Sequence, residues 1–174
     1  MRSYTRLLSK GAVHWNRWRR HHPNIKPDLS SRYIVADLKH YDLEEVDLRG
    51  TYLRGCNLQH TSLMKAVYSP STRWPSPTMF LLADWEGVSD ELTLALMRYD
   101  ASNHPNPRMF LDWGKGGPCP YEDCRWQRSA QFFERRGLIK PSFLRRKVLS
   151  AYELAERLLK ECLILKEGWE RGIL

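Results

Sequence analysis

Leucines recur every five residues from Leu38 to Leu63, and this spacing is the strongest pattern in the chain. Cut into fives from Ala36, the stretch reads ADLKH, YDLEE, VDLRG, TYLRG, CNLQH, TSLMK, AVYSP. The third place holds Leu38, Leu43, Leu48, Leu53, Leu58, Leu63 and then Tyr68. The first place is mostly small or modest in size: Ala36, Tyr41, Val46, Thr51, Cys56, Thr61 and Ala66. The second is mostly polar, with Asp37, Asp42, Asp47, Asn57 and Ser62, against Tyr52 and Val67. Neither a helical period nor a strand alternation keeps leucines five apart on one side. A chain that turns a corner at each repeat does, stacking successive leucines inside a solenoid. The spacing therefore predicts a repeat core of Leu38 through Leu63, closed by Tyr68. Asp28-Leu29 precedes Asp37-Leu38 by one residue less than two full repeats, so Ser30–Val35 must hold a one-residue slip.

The remaining pattern is helical. Leu7, Leu8, Ala12, Val13, Trp15 and Trp18 predict one or two short helices ending before Pro23. Ser69–Pro77 holds three prolines, which remove backbone donors, so the solenoid is expected to stop there. Met79–Gly87 is apolar and aromatic and is expected to pack back as a cap. Ser89 reads as the N-cap of a helix to about Ala101, with Asp90 and Glu91 in its first turn and Leu92, Ala95, Leu96 and Tyr99 on one face. A short helix is predicted over Met109–Trp113, and a longer one from about Pro120 to Arg136 with Gly137 as its stop. Ser150-Ala-Tyr-Glu153 is a capping box opening an amphipathic helix along Leu154, Ala155, Leu158, Leu159, Cys162 and Leu165. Four segments follow: a basic helical cap (1–27), the solenoid (28–75), a helical module (76–147) and the terminal helix (148–174). The fold class is mixed, a β-solenoid with α-helices.

The repeats resemble the pentapeptide-repeat family, whose consensus is A(D/N)LXX. The resemblance implies a short right-handed quadrilateral β-helix, four repeats to a coil and under two coils in all, with third- and first-place residues inward. The Gly11…Trp15-Asn16-x-Trp18-Arg19…Pro27-Asp28-Leu29 segment is similar to the helical lead-in found before the first coil in that family. Its physical task would be to cover backbone and leucines left open at the solenoid's end. The stretch from Leu92 through His104-Pro and Gly117-Pro-Cys-Pro-Tyr121 to Arg128 resembles a module of unknown activity that follows such repeats in uncharacterised bacterial proteins.

Charge changes this picture. The net +8 is unevenly distributed. Residues 1–27 carry seven basic and no acidic side chains, and 125–147 eight basic and one acidic, while 76–124 have three basic against eight acidic. Trp15, Arg17, Trp18, Arg19 and Arg20 could bind phosphates with stacking support, and Arg145, Arg146 and Lys147 form a second basic cluster. The competing reading is a cap helix with its tryptophans on the leucines. An Arg-rich, acid-free start also fits an organelle transit peptide, although the tryptophans argue for a folded role. No run approaches the ~18–20 apolar residues of a membrane span, so no membrane partner is expected and a reducing cytoplasm is the default. The four cysteines do not read as a disulfide framework. Cys119-x4-Cys124 beside His104 lacks a second ligand pair for zinc. Ser62-Leu-Met-Lys65 matches an S-x-x-K string without its companion motifs, and Gly114-Lys-Gly-Gly lacks the phosphate-loop order. No catalytic residue, metal or cofactor is therefore assigned.

The reading expected from the sequence is a non-catalytic interaction or scaffold protein with an unidentified protein partner. The alternative is a nucleic-acid-associated protein using 1–27 and 125–147. An inhibitor of DNA gyrase by DNA mimicry, known in long acidic members of the family, is disfavoured by the shortness of the repeats and the positive charge. A dimer through 148–174 stays open.

Overall fold

Main-chain hydrogen bonds between positions about twenty residues apart define the first part of the molecule. The computed structural model describes residues 3–121 and 130–166. Parallel bridges join Asp28 to Asp47, Tyr33 to Tyr52, Asp37 to Asn57, Asp42 to Ser62, Asp47 to Val67, Tyr52 to Arg73 and Ser62 to Asp84. A register of twenty is four pentads, so like places of the repeat stack directly. The register is one short at Asp28 and Tyr33, is twenty at Asp37, Asp42 and Asp47, and lengthens by one at Tyr52–Arg73 and by two at Ser62–Asp84. The predicted slip therefore falls between Tyr33 and Asp37.

Each place of the pentad has its own physical task. Leu38, Leu48, Leu53, Leu58 and Leu63 are fully buried, and Leu43 is almost so; Tyr68 is half-buried, its ring edge-on to Trp74. Second-place carboxylates and one carboxamide turn five of the corners. Asp28, Asp37, Asp42, Asp47 and Asn57 each accept from the backbone N–H two residues on, at 2.9–3.1 Å. The fifth place is left-handed at His40, Glu45, Gly50, His60 and Lys65. First-place hydroxyls and a thiol are buried and satisfied. Thr51 donates to Leu29 O, Thr61 to Leu38 O and Cys56 Sγ to Ile34 O, with Thr72 doing the same for Leu48 O. Tyr52, which breaks the second-place pattern, stacks on Tyr33 at 4.5 Å.

The ladder continues through the proline-rich exit. Arg73 N donates to Thr51 O, and Leu53 N donates to Arg73 O. The expected stop at Ser69–Pro77 is thus corrected: Pro70 and Pro75 flank the paired residue, and Pro77 opens helix α3 (Pro77–Phe80), where its missing N–H is harmless. After α3, His60 N bonds to Leu82 O and Asp84 N to Thr61 O, with Phe80 and Leu81 buried.

Both ends of the ladder are covered. Helices α1 (Tyr4–Leu8) and α2 (Ala12–His21) occupy the N-terminal end. Trp15, fully buried, donates its Nε1 to Asp42 O at 2.6 Å. Asn16 donates to His40 O and accepts from Asp42 N, and Arg19 donates to Ile25 O and Glu44 O. Tyr41, oversized for a first place, reaches out to donate to Leu8 O at 2.7 Å. Side chains therefore supply the bonds that a preceding rung would have made to His40, Asp42 and Glu44. At the far end strand β1 (Val67–Tyr68) pairs in parallel with β2 (Ile164–Leu165). Lys65 N donates to Cys162 O, Ile164 N to Ala66 O and Lys166 N to Tyr68 O.

By compactness the chain falls into two units. Among the described residues, one holds those up to Asp84 together with Leu159–Lys166, and the other those within Trp85–Leu158. In the second unit α4 (Asp90–Ser102) is capped by Ser89 as predicted and buries Leu92, Thr93, Ala95, Leu96, Met97, Asp100 and Ala101. Arg135 holds its first turn, donating to Val88 O and Thr93 and pairing with Asp90 at 3.2 Å. Helix α5 (Met109–Gly114) brings Phe110 and Trp113 into an edge-on aromatic cluster with Tyr121, and Phe143 stacks on Phe110. The start of the helix predicted from Pro120 lies outside the described residues. Its described part is α6 (Ala130–Glu134), followed by a 3₁₀ turn at Arg136–Leu138 that contains Gly137. Helix α7 (Ala151–Cys162) opens on the predicted capping box, with Glu153 N bonded to Ser150 Oγ and Ser150 N to the Glu153 carboxylate. The helix stops short of the predicted stripe's end: Leu165 lies in β2 instead, because the backbone there pairs with β1.

Two outcomes follow for melting experiments. Leu58→Ala should cost about 2–5 kcal/mol, because a closed stack cannot collapse onto the cavity, while Gln59→Ala one place along should stay within about 0.5 kcal/mol. Asn16→Ala should cost about 1–3 kcal/mol by leaving Asp42 N and His40 O without partners. Equal effects of Leu58→Ala and Gln59→Ala would contradict the inward assignment of the third place.

Candidate anion-binding site

The N-terminal basic segment is divided by its own helix. Trp15 and Arg19, expected among the phosphate-binding residues, are instead built into the end of the ladder. Arg19 is 7% exposed, and its Nε lies 3.6 Å from Asp42 Oδ2, a coulombic rather than a hydrogen-bonded contact. The reason is geometric: on a helix, positions four apart share a face, and this face meets open backbone. Arg17 and Arg20 are exposed on the remaining surface. Trp18 is half-buried, its ring stacked on His22 at 4.7 Å and edge-on to Tyr4 at 5.5 Å. It lines a shallow groove with Ser3, Tyr4, Arg6, Leu7 and Lys10.

The second basic cluster acquires partners that the sequence did not indicate. In the unit Trp85–Leu158, Arg146 and Lys147 line a groove of about 350 Å³ together with Arg98 and Arg157, over Leu94, Ala95 and Leu149, with Glu91 at the rim. Arg145 is exposed and is absent from this lining. Arg98 comes from α4 and Arg157 from α7. The Arg98 Nε donates to Phe143 O at 2.8 Å, and its guanidinium lies 5.1 Å over the Phe143 ring. Among the described residues nothing accepts from its two terminal nitrogens. Burial, and then the neighbouring Arg146 charge, lower the Arg98 pKa below the usual arginine value. Arg157 approaches Glu91 at 3.8 Å and Lys147 approaches Glu153 at 3.9 Å, in long, exposed pairs worth about 0–1 kcal/mol each. A periodicity search could not have found this groove, since its cations come from separate helices and a loop.

The other motifs have structural tasks. His104 Nδ1 accepts from Asn106 N at 2.9 Å and Nε2 donates to Pro120 O at 3.2 Å, so both ring nitrogens are engaged. Cys119 is half-buried, and Cys124 lies outside the described residues. Among the described residues no three His, Cys, Asp or Glu side chains converge as metal ligands. Ser62 donates to Glu44 at 2.8 Å, on the outside of the ladder. No helix among the described residues is long and apolar enough to cross a membrane.

Stacked parallel bridges around a leucine core are the features of a repeat protein. Residues 36–67 match the family model described as pentapeptide repeats, in eight copies. The chain therefore carries pentapeptide repeats over this stretch, and such repeats imply a β-helix solenoid. No curated protein and no solved structure matches the chain.

Thiol chemistry provides a check on burial. Cys162 is buried, and its pKa is pushed up to about 12 by desolvation and then by Glu161. Since the thiolate is the nucleophile, Cys162 and Cys56 should resist alkylation at pH 8 in the native protein, and Cys119 should react first of the three. Peptide-resolved mass spectrometry reads the order; early modification of Cys162 would contradict its buried position.

Proposed function

We propose that this chain is a non-catalytic interaction scaffold, built on a right-handed, four-sided β-helix with under two coils of clear leucine repeats. What carries the reading is the commitment of polar side chains along the solenoid to its own backbone. The first-place hydroxyls of Thr51 and Thr61 and the Cys56 thiol bond to carbonyls of the preceding coil, and second-place Asp and Asn side chains bond to their own corners. That leaves a rigid body whose partners meet its outer faces and its helical module. The partner is an unidentified protein, the compartment the cytoplasm, and a second copy could dock through 148–174.

Nucleic acid is the second reading. The exposed Arg17 and Arg20 favour it, together with the cluster at 145–147. The inward Trp15 and Arg19 weaken it, because they remove one aromatic platform and one cation from the surface.

Affinity capture with the tagged full chain, read by mass spectrometry against an unrelated bait, tests the first reading. A specific protein should be retained by the native chain and lost with Leu48→Asp, which puts a charge into the leucine stack. Retention of nothing above the unrelated bait would overturn the scaffold reading. Equal retention by the Leu48→Asp chain would do so as well. Nucleic-acid retention at about 50 mM salt that falls steeply with added salt, and that Arg17→Glu with Arg20→Glu abolishes, would favour the second reading.

A further inference from the structure

The groove at Arg98, Arg146, Lys147 and Arg157 holds four cations against one lining carboxylate. Its floor is apolar, formed by Leu94, Ala95 and Leu149. Arg98 is fixed rather than floppy: the bond to Phe143 O and the stacking over Phe143 hold its guanidinium in one place. Neither Arg98 nor Arg146 forms an ion pair among the described residues. Two guanidinium groups held near each other without an anion repel, and an anion between them relieves that repulsion while gaining charge-assisted hydrogen bonds. Arg157 and Lys147 have only long, exposed pairs with Glu91 and Glu153, which a better-placed carboxylate can displace.

We propose that this groove receives an acidic segment of a partner protein, with carboxylates on Arg98 and Arg146 and an apolar side chain on Leu94, Ala95 and Leu149. The proposal rests on the scaffold reading and names the chemistry of its partner. A nucleic-acid strand fits these features less well. Single-stranded nucleic acid binding uses aromatic faces for its bases, whereas no aromatic among the described residues lines this groove and Phe143 beneath Arg98 is buried. An apolar floor with a cationic rim matches alternating acidic and leucine residues. Recognition of acidic motifs by clustered arginines is an established use of this chemistry.

Fluorescence anisotropy with the full chain tests the proposal. The probes are a labelled peptide of repeating Glu-Glu-Leu units, its Gln-Gln-Leu counterpart, and a labelled oligothymidylate of similar length. At about 50 mM salt, where charge attraction is weakly screened, the acidic peptide should bind and the glutamine peptide should not. Arg146→Gln, at an exposed residue, should weaken the acidic peptide about tenfold, the loss of one hydrogen bond between ionised groups. Arg98→Gln should do the same, and circular dichroism of both variants reports whether the fold is kept. Arg17→Gln with Arg20→Gln should leave acidic-peptide binding unchanged. Absence of acidic-peptide binding overturns the proposal. So does binding that Arg146→Gln leaves intact, and so does tighter binding of the oligothymidylate through the same arginines. If the peptide fails while the native chain still captures a protein specifically, this inference falls and the scaffold reading stands.

Discussion

A stack of parallel turns satisfies its backbone everywhere except at its two ends, and that constraint shapes most of what surrounds the repeats here. Unpaired edge carbonyls and amides cost stability when buried and recruit other chains when exposed. At the N-terminal end the answer is a helix whose side chains imitate a missing rung. Asn16 both donates to His40 O and accepts from Asp42 N, Trp15 donates to Asp42 O, and Arg19 donates to Glu44 O. At the far end the answer is backbone itself, with the chain after α7 adding β2 alongside β1. The sequence distance between β1 and β2 makes closure of this end a long-range contact.

The same economy of partners governs the interior. A narrow core of leucines tolerates threonine and cysteine at first places only because each finds a carbonyl one coil away. Aspartate and asparagine are favoured at second places because their side chains tie the corner's next free N–H. Where Tyr52 takes that place the corner bond is absent, and stacking on Tyr33 replaces it.

The leucine repeat was legible because one residue type at one period has few physical explanations, and the slip near Ser30–Val35 followed from counting. Ser89, Asp90 and Glu91, and the Ser150–Glu153 box, were legible for the same reason: capping is local chemistry. What could not be read was partnership at long range. Nothing in Trp15 or Arg19 alone says that their faces meet Asp42 and Glu44 rather than solvent, so the sequence leaves both a phosphate-binding surface and a cap on the leucines open. Pro70 and Pro75 misled because a proline ends a ladder only where its N–H is needed, and here Arg73 carries the pairing. The groove escaped entirely, since Arg98, Arg146 and Arg157 converge only after α4 and α7 are placed.

The central claim is that helix side chains and the β2 segment complete the ladder at its ends, and native-state hydrogen exchange resolved by residue tests it most directly. Asp42 N bonds to the Asn16 side chain, and Ile164 N bonds to Ala66 O. Both amides should exchange nearly as slowly as the inner rung amides of Leu48 and Leu53, because all four then open only with the solenoid itself. Exchange of Asp42 and Ile164 at the rate of exposed loop amides, with Leu48 and Leu53 still protected, would contradict the account.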